Sequence, residues 1–239
     1  MKKKLFGDPK ISNIISINLL MNMSLENLMN FFDFVRNSYF LEKDKLEKHW
    51  NEILKEAEGD QEYYLNLQEM FSEDYLEYEE NRVWLEYLII IGLTSILENY
   101  YRRLREHLIG HIKITKSKKN RSIQDYIKEY EDANFGEKQS FFTKQNIFLK
   151  YYFDIDVSKS KADIASLEAL VFIRNKIVHS EGIIKNKMKR KEFERKNIIK
   201  AKGFVGKIEE IDNKFIEERF DDVKKIGNFL SQTLKEKLK

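Results

Sequence analysis

Apolar positions recur every three or four residues along most of the chain and clean alternation is scarce, so the pattern predicts helices rather than strands. Residues 12–39 read as one or two helices with Leu19, Leu20, Met23, Leu28, Phe31, Phe32 and Val35 as the buried stripe. A charged helix follows over about 42–58 and stops at Gly59 and Asp60, and an acidic one covers about 61–80. The most apolar helix spans about 82–110, with Trp84, Leu85, Leu88, Ile91, Leu97, Tyr101 and Leu104 at helical intervals and Gly110 placed to end it. Shorter helices are predicted at 122–130, capped by Ser122, and at 141–152. Helices over about 162–179 and 213–238 complete the set. One proline, Pro9, and nine glycines in 239 residues agree with this reading, because proline is the strongest helix breaker. The fold class expected is an all-α helical bundle, with 81–239 as the main domain and 1–80 as a partly acidic helical extension.

Composition narrows the class further. At 42% hydrophobic and 13% aromatic residues the chain has enough apolar material for a core, unlike a disordered chain. Cysteine is absent, which removes disulfides, thiol catalysis and thiolate metal sites and suits a reducing cytoplasm. Lys2, Lys3 and Lys4 open the chain as an export signal might, but Gly7, Asp8, Pro9 and Lys10 follow before any apolar run. The longest apolar patch, 88–93, is far shorter than the roughly 20 residues of a spanning helix. The expectation is a soluble cytoplasmic protein with no membrane contact.

The net charge of +3 says little, but its distribution says more. Residues 41–80 hold 14 acidic and 4 basic side chains, 101–121 hold 8 basic and 1 acidic, and 185–202 hold 9 basic and 2 acidic. Such blocks are commonly solvated faces; two basic blocks in one chain also fit a track for phosphates. The second has little apolar period before Phe193 and reads as a mobile loop.

Most enzyme signatures are missing: there is no Gly-rich phosphate loop, no GxSxG elbow and no HExxH. His107 and His111 have the spacing to share a helix face, but Gly110 lies between them and no carboxylate matches their register, so neither a metal nor another cofactor is expected. One segment stands apart, Ser166-Leu167-Glu168-Ala169-Leu170-Val171-Phe172-Ile173-Arg174-Asn175-Lys176-Ile177-Val178-His179-Ser180-Glu181-Gly182. Leu167, Leu170, Val171, Ile177 and Val178 mark a packed helix, and Arg174 and Asn175 interrupt it where an unpaired charge is costly. His179 falls where Ser180, Glu181 and Gly182 end the helix.

Arginine, asparagine, three further residues and histidine, at the end of an amphipathic helix followed by a glycine and a basic stretch, resembles the signature of the HEPN superfamily. These are small α-helical domains, many of them metal-independent endoribonucleases of toxin–antitoxin, phage-defence and CRISPR systems. The preceding apolar helix with Ser95-Ile96-Leu97-Glu98-Asn99-Tyr100 and the final long helix extend the likeness over about 82–238. The resemblance implies RNA cleavage by 2′-OH attack, a homodimer with a composite site, and possible partners that include RNA and an antitoxin or regulatory protein. It assigns Arg174, Asn175 and His179 as catalytic residues. Histidine titrates near neutral pH and suits proton transfer, and arginine offers a fork of donors to a phosphate. The backbone track would use Lys116, Lys118, Lys119 and Arg121 with Lys185, Lys187, Lys189, Arg190 and Lys191. Positions five apart on an ideal helix differ by about 140°. Either the helix loosens after Val178 or two copies of the motif meet across a two-fold axis. Some toxins of the family carry a tyrosine two positions after the histidine, modified by a nucleotidyltransferase; here that position is Glu181. Glu98 and Asn99 are candidates to support the site. The alternatives are a non-catalytic HEPN nucleotide- or RNA-binding or partner-regulated assembly module, and a plain helical scaffold. In the former the motif binds a nucleotide or maintains the dimer, and the acidic block 41–80 docks a basic partner or covers the basic tracks. The bland reading of the motif is that Arg174 pairs with Glu168 or Glu98 and His179 only caps the helix.

Overall fold

A computed structural model describes residues 9–57, 59–109 and 139–238. The helix expected at 122–130, together with Gly110, His111, Lys116, Lys118, Lys119 and Arg121, lies outside the described residues. Six α-helices and one small β-hairpin make up the rest, an all-α architecture in which two very long helices carry the remaining elements.

α1 (Pro9–Glu56) and α2 (Gln61–Ile109) contain 48 and 49 residues, so each is about 70 Å long. Pro9 occupies the first helical position, where its missing N–H is no loss. No glycine or proline interrupts 10–57, and α2 holds only Gly92. With no breaker present, the charged stretches stay helical where the apolar period fades, and the breaks expected near 40 and 80 do not occur. The two helices run antiparallel, with Leu28 packed over Gly92 and the Tyr39 ring stacked on Tyr78 at 4.6 Å. Their far halves form an arm with its own small core of Trp50, Ala57 and Leu67.

The near half of α1 joins the main core through Ile14, Met21, Leu25 and Phe32. The stripe read from the sequence is displaced: Leu19, Leu20, Met23 and Phe31 are exposed. The cause is that α1 is apolar on two faces, and spacing alone does not say which one packs. In α2 the buried set is Tyr87, Ile89, Ile90, Leu93, Leu97, Tyr100, Tyr101, Leu104 and Leu108, while Trp84 and Leu88 face outward. Burying each of these side chains contributes roughly 1.5–3 kcal/mol.

Three shorter helices follow: α3 (Phe141–Phe153), α4 (Ile164–Ser180) and α5 (Lys187–Arg195). Each starts on a side-chain cap, Ser140, Asp163 and Asn186 respectively, accepting a backbone N–H of the first turn. α6 (Asn213–Lys237) is the central helix, capped by Asp212, and buries Phe215, Ile216, Phe220, Val223, Ile226, Leu230 and Leu234. Its Phe220 stacks on Phe32 of α1.

The segment 185–202, expected as a mobile loop, is ordered: α5 buries Phe193 and leads into β1 (Ile199–Lys202), which pairs antiparallel with β2 (Lys207–Ile211). In this hairpin Ile199, Ile208 and Ile211 are buried and the lysines point outward. Among the described residues no helix is long and apolar enough to cross a membrane.

Candidate active site

α4 places the motif. Its Leu167, Leu170, Val171, Ile173 and Ile177 are buried; Arg174 continues that packed face toward its more open end, half-buried, while Asn175 lies at its border and His179 is exposed beyond it. Val178, expected in the packed stripe, is exposed. Arg174 is half-buried against α2. Its Nη1 donates to Oδ1 of Asn175 at 3.0 Å, and Nη2 lies 3.9 Å from Oε2 of Glu98. Nε is shut off from solvent and has no acceptor. The partly exposed Nη groups, with one close hydrogen bond and one long ion pair between them, keep N–H donors for an anion, whereas the shielded Nε is out of its reach. Asn175 also borders a cleft of about 490 Å³ lined by Ser166, Phe172, Lys189, Glu192 and Lys196.

His179 is exposed, and its imidazole makes no hydrogen bond or ion pair among the described residues. α4 stays regular through Ser180 and then ends on Glu181, at φ 51° in the left-handed region, with the Glu181 N–H donating to the Lys176 carbonyl. The helix therefore does not loosen after Val178, and within one chain Arg174 and His179 keep their angular offset. Gly182 follows at φ 77°. A Cβ there would come within 2.1 Å of Tyr87 Oη, so glycine is required both by the backbone angle and by the contact.

Two contacts, Arg174 to Glu98 and Gly182 to Tyr87, fix α4 antiparallel to α2. On the other flank α1 runs antiparallel to α2, and the Leu28 contact with Gly92 sets Phe31 near Leu88. Trp84 (59% exposed) and Leu88 (55%), one turn apart, thus form an open apolar strip on α2, and Phe31 of α1 and Val178 of α4 are exposed as well. Of the supporting residues proposed from sequence, Glu98 reaches Arg174. Asn99 faces α1 instead and accepts from Arg102 at 2.9 Å. Glu168 takes the Thr143 hydroxyl at 3.2 Å, not Arg174.

The basic residues after the motif divide. Lys185 and Lys191 are exposed with no carboxylate partner among the described residues. Lys187 lies over the Phe204 ring at 4.7 Å. Lys189 pairs with Glu192 at 3.0 Å, and Arg190 donates to the Gly203 and Phe204 carbonyls. Lys189 and Arg190 thus have structural work as well as charge. The four basic residues at 116–121 lie outside the described residues.

A second polar cluster was not singled out from the sequence. Arg82 bonds Glu79 at 2.9 Å and Glu86 at 2.7 Å, and its second Nη donates to the Glu209 carbonyl. Glu86 is only 6% exposed, and its other oxygen accepts the Ile211 N–H at 2.8 Å. Burial pushes its carboxyl up to about 7, against the opposing pull of Arg82 and the Ile211 N–H. Tyr39 donates to Glu79 at 2.6 Å, so the cluster ties α1, α2 and the hairpin together. An arginine and a glutamate four apart, where α2 passes from its acidic half to its apolar half, were the legible sign of it. No group of three or more His, Asp or Glu side chains among the described residues is arranged to hold a metal ion.

No protein-family model, no curated protein and no solved structure matches the chain.

Proposed function

We propose that the protein is a HEPN-type endoribonuclease that works as a homodimer and cleaves RNA through 2′-OH attack, in the setting of a toxin or antiphage effector. The observation that carries this reading is Arg174: a half-buried guanidinium whose partly exposed Nη groups make one close hydrogen bond, on the same helix whose end exposes His179.

The chemistry needs two proton transfers and a cation. A neutral imidazole accepts the proton of the 2′-OH as that oxygen forms a bond to the adjacent phosphorus. The P–O5′ bond breaks, and an imidazolium gives its proton to O5′, leaving a 2′,3′-cyclic phosphate and a 5′-OH. One helix offers a single histidine at an offset of about 140° from its arginine. Two protomers supply both: one protomer's His179 acts as base, its partner's as acid, and the Arg174 guanidiniums hold the phosphate as its charge develops. Asn175 keeps Arg174 aimed through the Nη1 bond. The exposed Trp84 and Leu88 of α2, with Phe31 and Val178 exposed on α1 and α4, support the dimer, because open apolar side chains are covered when a second copy packs on them. Lys185, Lys187 and Lys191 supply charge for the RNA backbone.

A binding module without cleavage is the second reading, favoured by Glu98, whose carboxylate already offsets part of the Arg174 charge. RNA digestion in EDTA separates the two. Wild type should cut, and Arg174→Ala and His179→Ala should each be slower by about a hundredfold or more. An inert wild type, or variants that cut as fast as wild type, would remove the nuclease reading.

A further inference from the structure

The tip of the β-hairpin carries Phe204, the most exposed large apolar side chain among the described residues. Phe204 is 85% exposed, with Val205 beside it and Met188 of α5 (84%) as its exposed apolar counterpart. They sit in the most basic part of the described chain: residues 185–207 hold ten basic and two acidic side chains. Lys185, Lys191 and Lys207 have no carboxylate partner among the described residues.

The tip is built rather than loose. Gly203 and Gly206 take φ of 70° and 73°, and a Cβ on Gly206 would fall 2.8 Å from the Ile184 carbonyl. Arg190 donates to the carbonyls of Gly203 and Phe204 from below. Lys187 stands over the Phe204 ring at 4.7 Å, placing a cation and an aromatic face together. The hairpin is also fastened to the chain directly after the motif: Ile183 bridges Lys207, Ile184 N–H donates to Gly206, and Ile208 N–H donates to the Gly182 carbonyl. Ile183 is four residues past His179, so their Cα atoms are at most about 14 Å apart.

We infer that this tip is a clamp for single-stranded RNA, in which an unpaired base stacks on Phe204 while Lys185, Lys187, Lys191 and Lys207 hold the phosphates on either side. A base stacks on an aromatic ring whatever its identity, and a duplex keeps its bases stacked on each other, so the clamp takes unpaired strand of any sequence. Charge selects the polyanion and the ring selects the unpaired form. The rigid fastening to 182–184 then delivers the strand to the His179 end of α4. The inference rests on the ribonuclease reading for the purpose of the clamp, but the clamp itself is tested by binding.

The test uses the full chain and a labelled 2′-O-methyl oligouridine, which has no 2′-OH to attack, alongside a blunt RNA duplex of the same length and vesicles of phosphatidylcholine with phosphatidylserine. Phe204→Ala should weaken oligouridine binding about tenfold with the salt slope unchanged. Phe204→Trp should retain it, and duplex binding should stay within about twofold of wild type throughout. Neutralising Lys187 and Lys191 together should flatten the salt slope. Equal binding by Phe204→Ala and wild type overturns the clamp. So does a duplex equally sensitive to Phe204, or Phe204-dependent capture by the vesicles without oligouridine binding. A wild type that binds through Phe204 yet cuts no RNA sinks the nuclease reading and leaves the clamp. A nuclease that needs Arg174 but is indifferent to Phe204 does the reverse.

Discussion

Replacing Glu86 by glutamine should abolish a pH dependence of stability that the buried carboxyl imposes. Glu86 is enclosed between α2 and β2, where burial raises its carboxyl from 4.5 to about 7 despite the Arg82 guanidinium and the Ile211 N–H. A carboxyl raised in the fold favours the protonated form, so its stabilisation is complete below about pH 4.5 and is lost as pH rises through 7. At 1.36 kcal/mol per unit, the shift is equivalent to about 3 kcal/mol across that window. Glutamine keeps an acceptor for the Ile211 N–H, and Arg82 keeps Glu79 at 2.9 Å. Urea unfolding of wild type and Glu86→Gln should therefore agree below pH 4.5, diverge between 4.5 and 7 and run parallel above it, with the variant more stable by about 3 kcal/mol at pH 8. Since a chain of this size gains roughly 2–4 °C in Tm per kcal/mol, a thermal scan should show the same divergence. Curves that run parallel from pH 4.5 to 7 as well, or a variant weaker than wild type at pH 8, would mean that the ion pair with Arg82 outweighs burial and that the reasoning is wrong.

The open apolar strip on α2 makes a further expectation: wild type should have twice the mass of the 28.8 kDa chain in solution, and Leu88→Lys should shift it to the single-chain mass while leaving its helical circular dichroism unchanged. A monomeric wild type would contradict the dimer. Leu93 is fully buried at the centre of α2, so Leu93→Ala should cost about 2–5 kcal/mol in chemical unfolding, against little for Leu19→Ala on the exposed face of α1. Gly182→Ala should destabilise and disturb the end of α4, read as a lowered Tm, because both the positive φ and the Tyr87 hydroxyl oppose a side chain there.

Much of the helical layout was legible because the caps and apolar spacing agree in α3, α4 and α6, whose observed ends fall within a few residues of the expected ones. Where spacing and propensity parted, spacing misled. The acidic arm has little apolar period, yet with neither glycine nor proline between 10 and 57 it continues as helix. Two apolar faces on α1 left the choice of stripe undetermined, and only packing against α2 and α6 selects Ile14, Met21, Leu25 and Phe32. The hairpin was missed because Ile199-Lys200-Ala201-Lys202 offers one large apolar side chain in four; the glycines at 203 and 206 and the alternation on both sides were the available clue. For the site, the positions of Arg174, Asn175 and His179 could be read from their interruption of an apolar helix. The orphaned Nε, the tie to Glu98 and the exposure of Trp84, Leu88 and Phe31 depend on which helix lies alongside, which no local pattern encodes.

The most direct measurement is the chemistry at the new RNA ends. After incubation with the protein in EDTA, the 5′ fragment should carry a 2′,3′-cyclic phosphate, and the fragment should be lost with Arg174→Ala, with His179→Ala and when the 2′-OH at the cut is methylated. A fragment ending in a free 3′-OH, or one that still forms when that 2′-OH is blocked, would contradict the proposed role of these side chains.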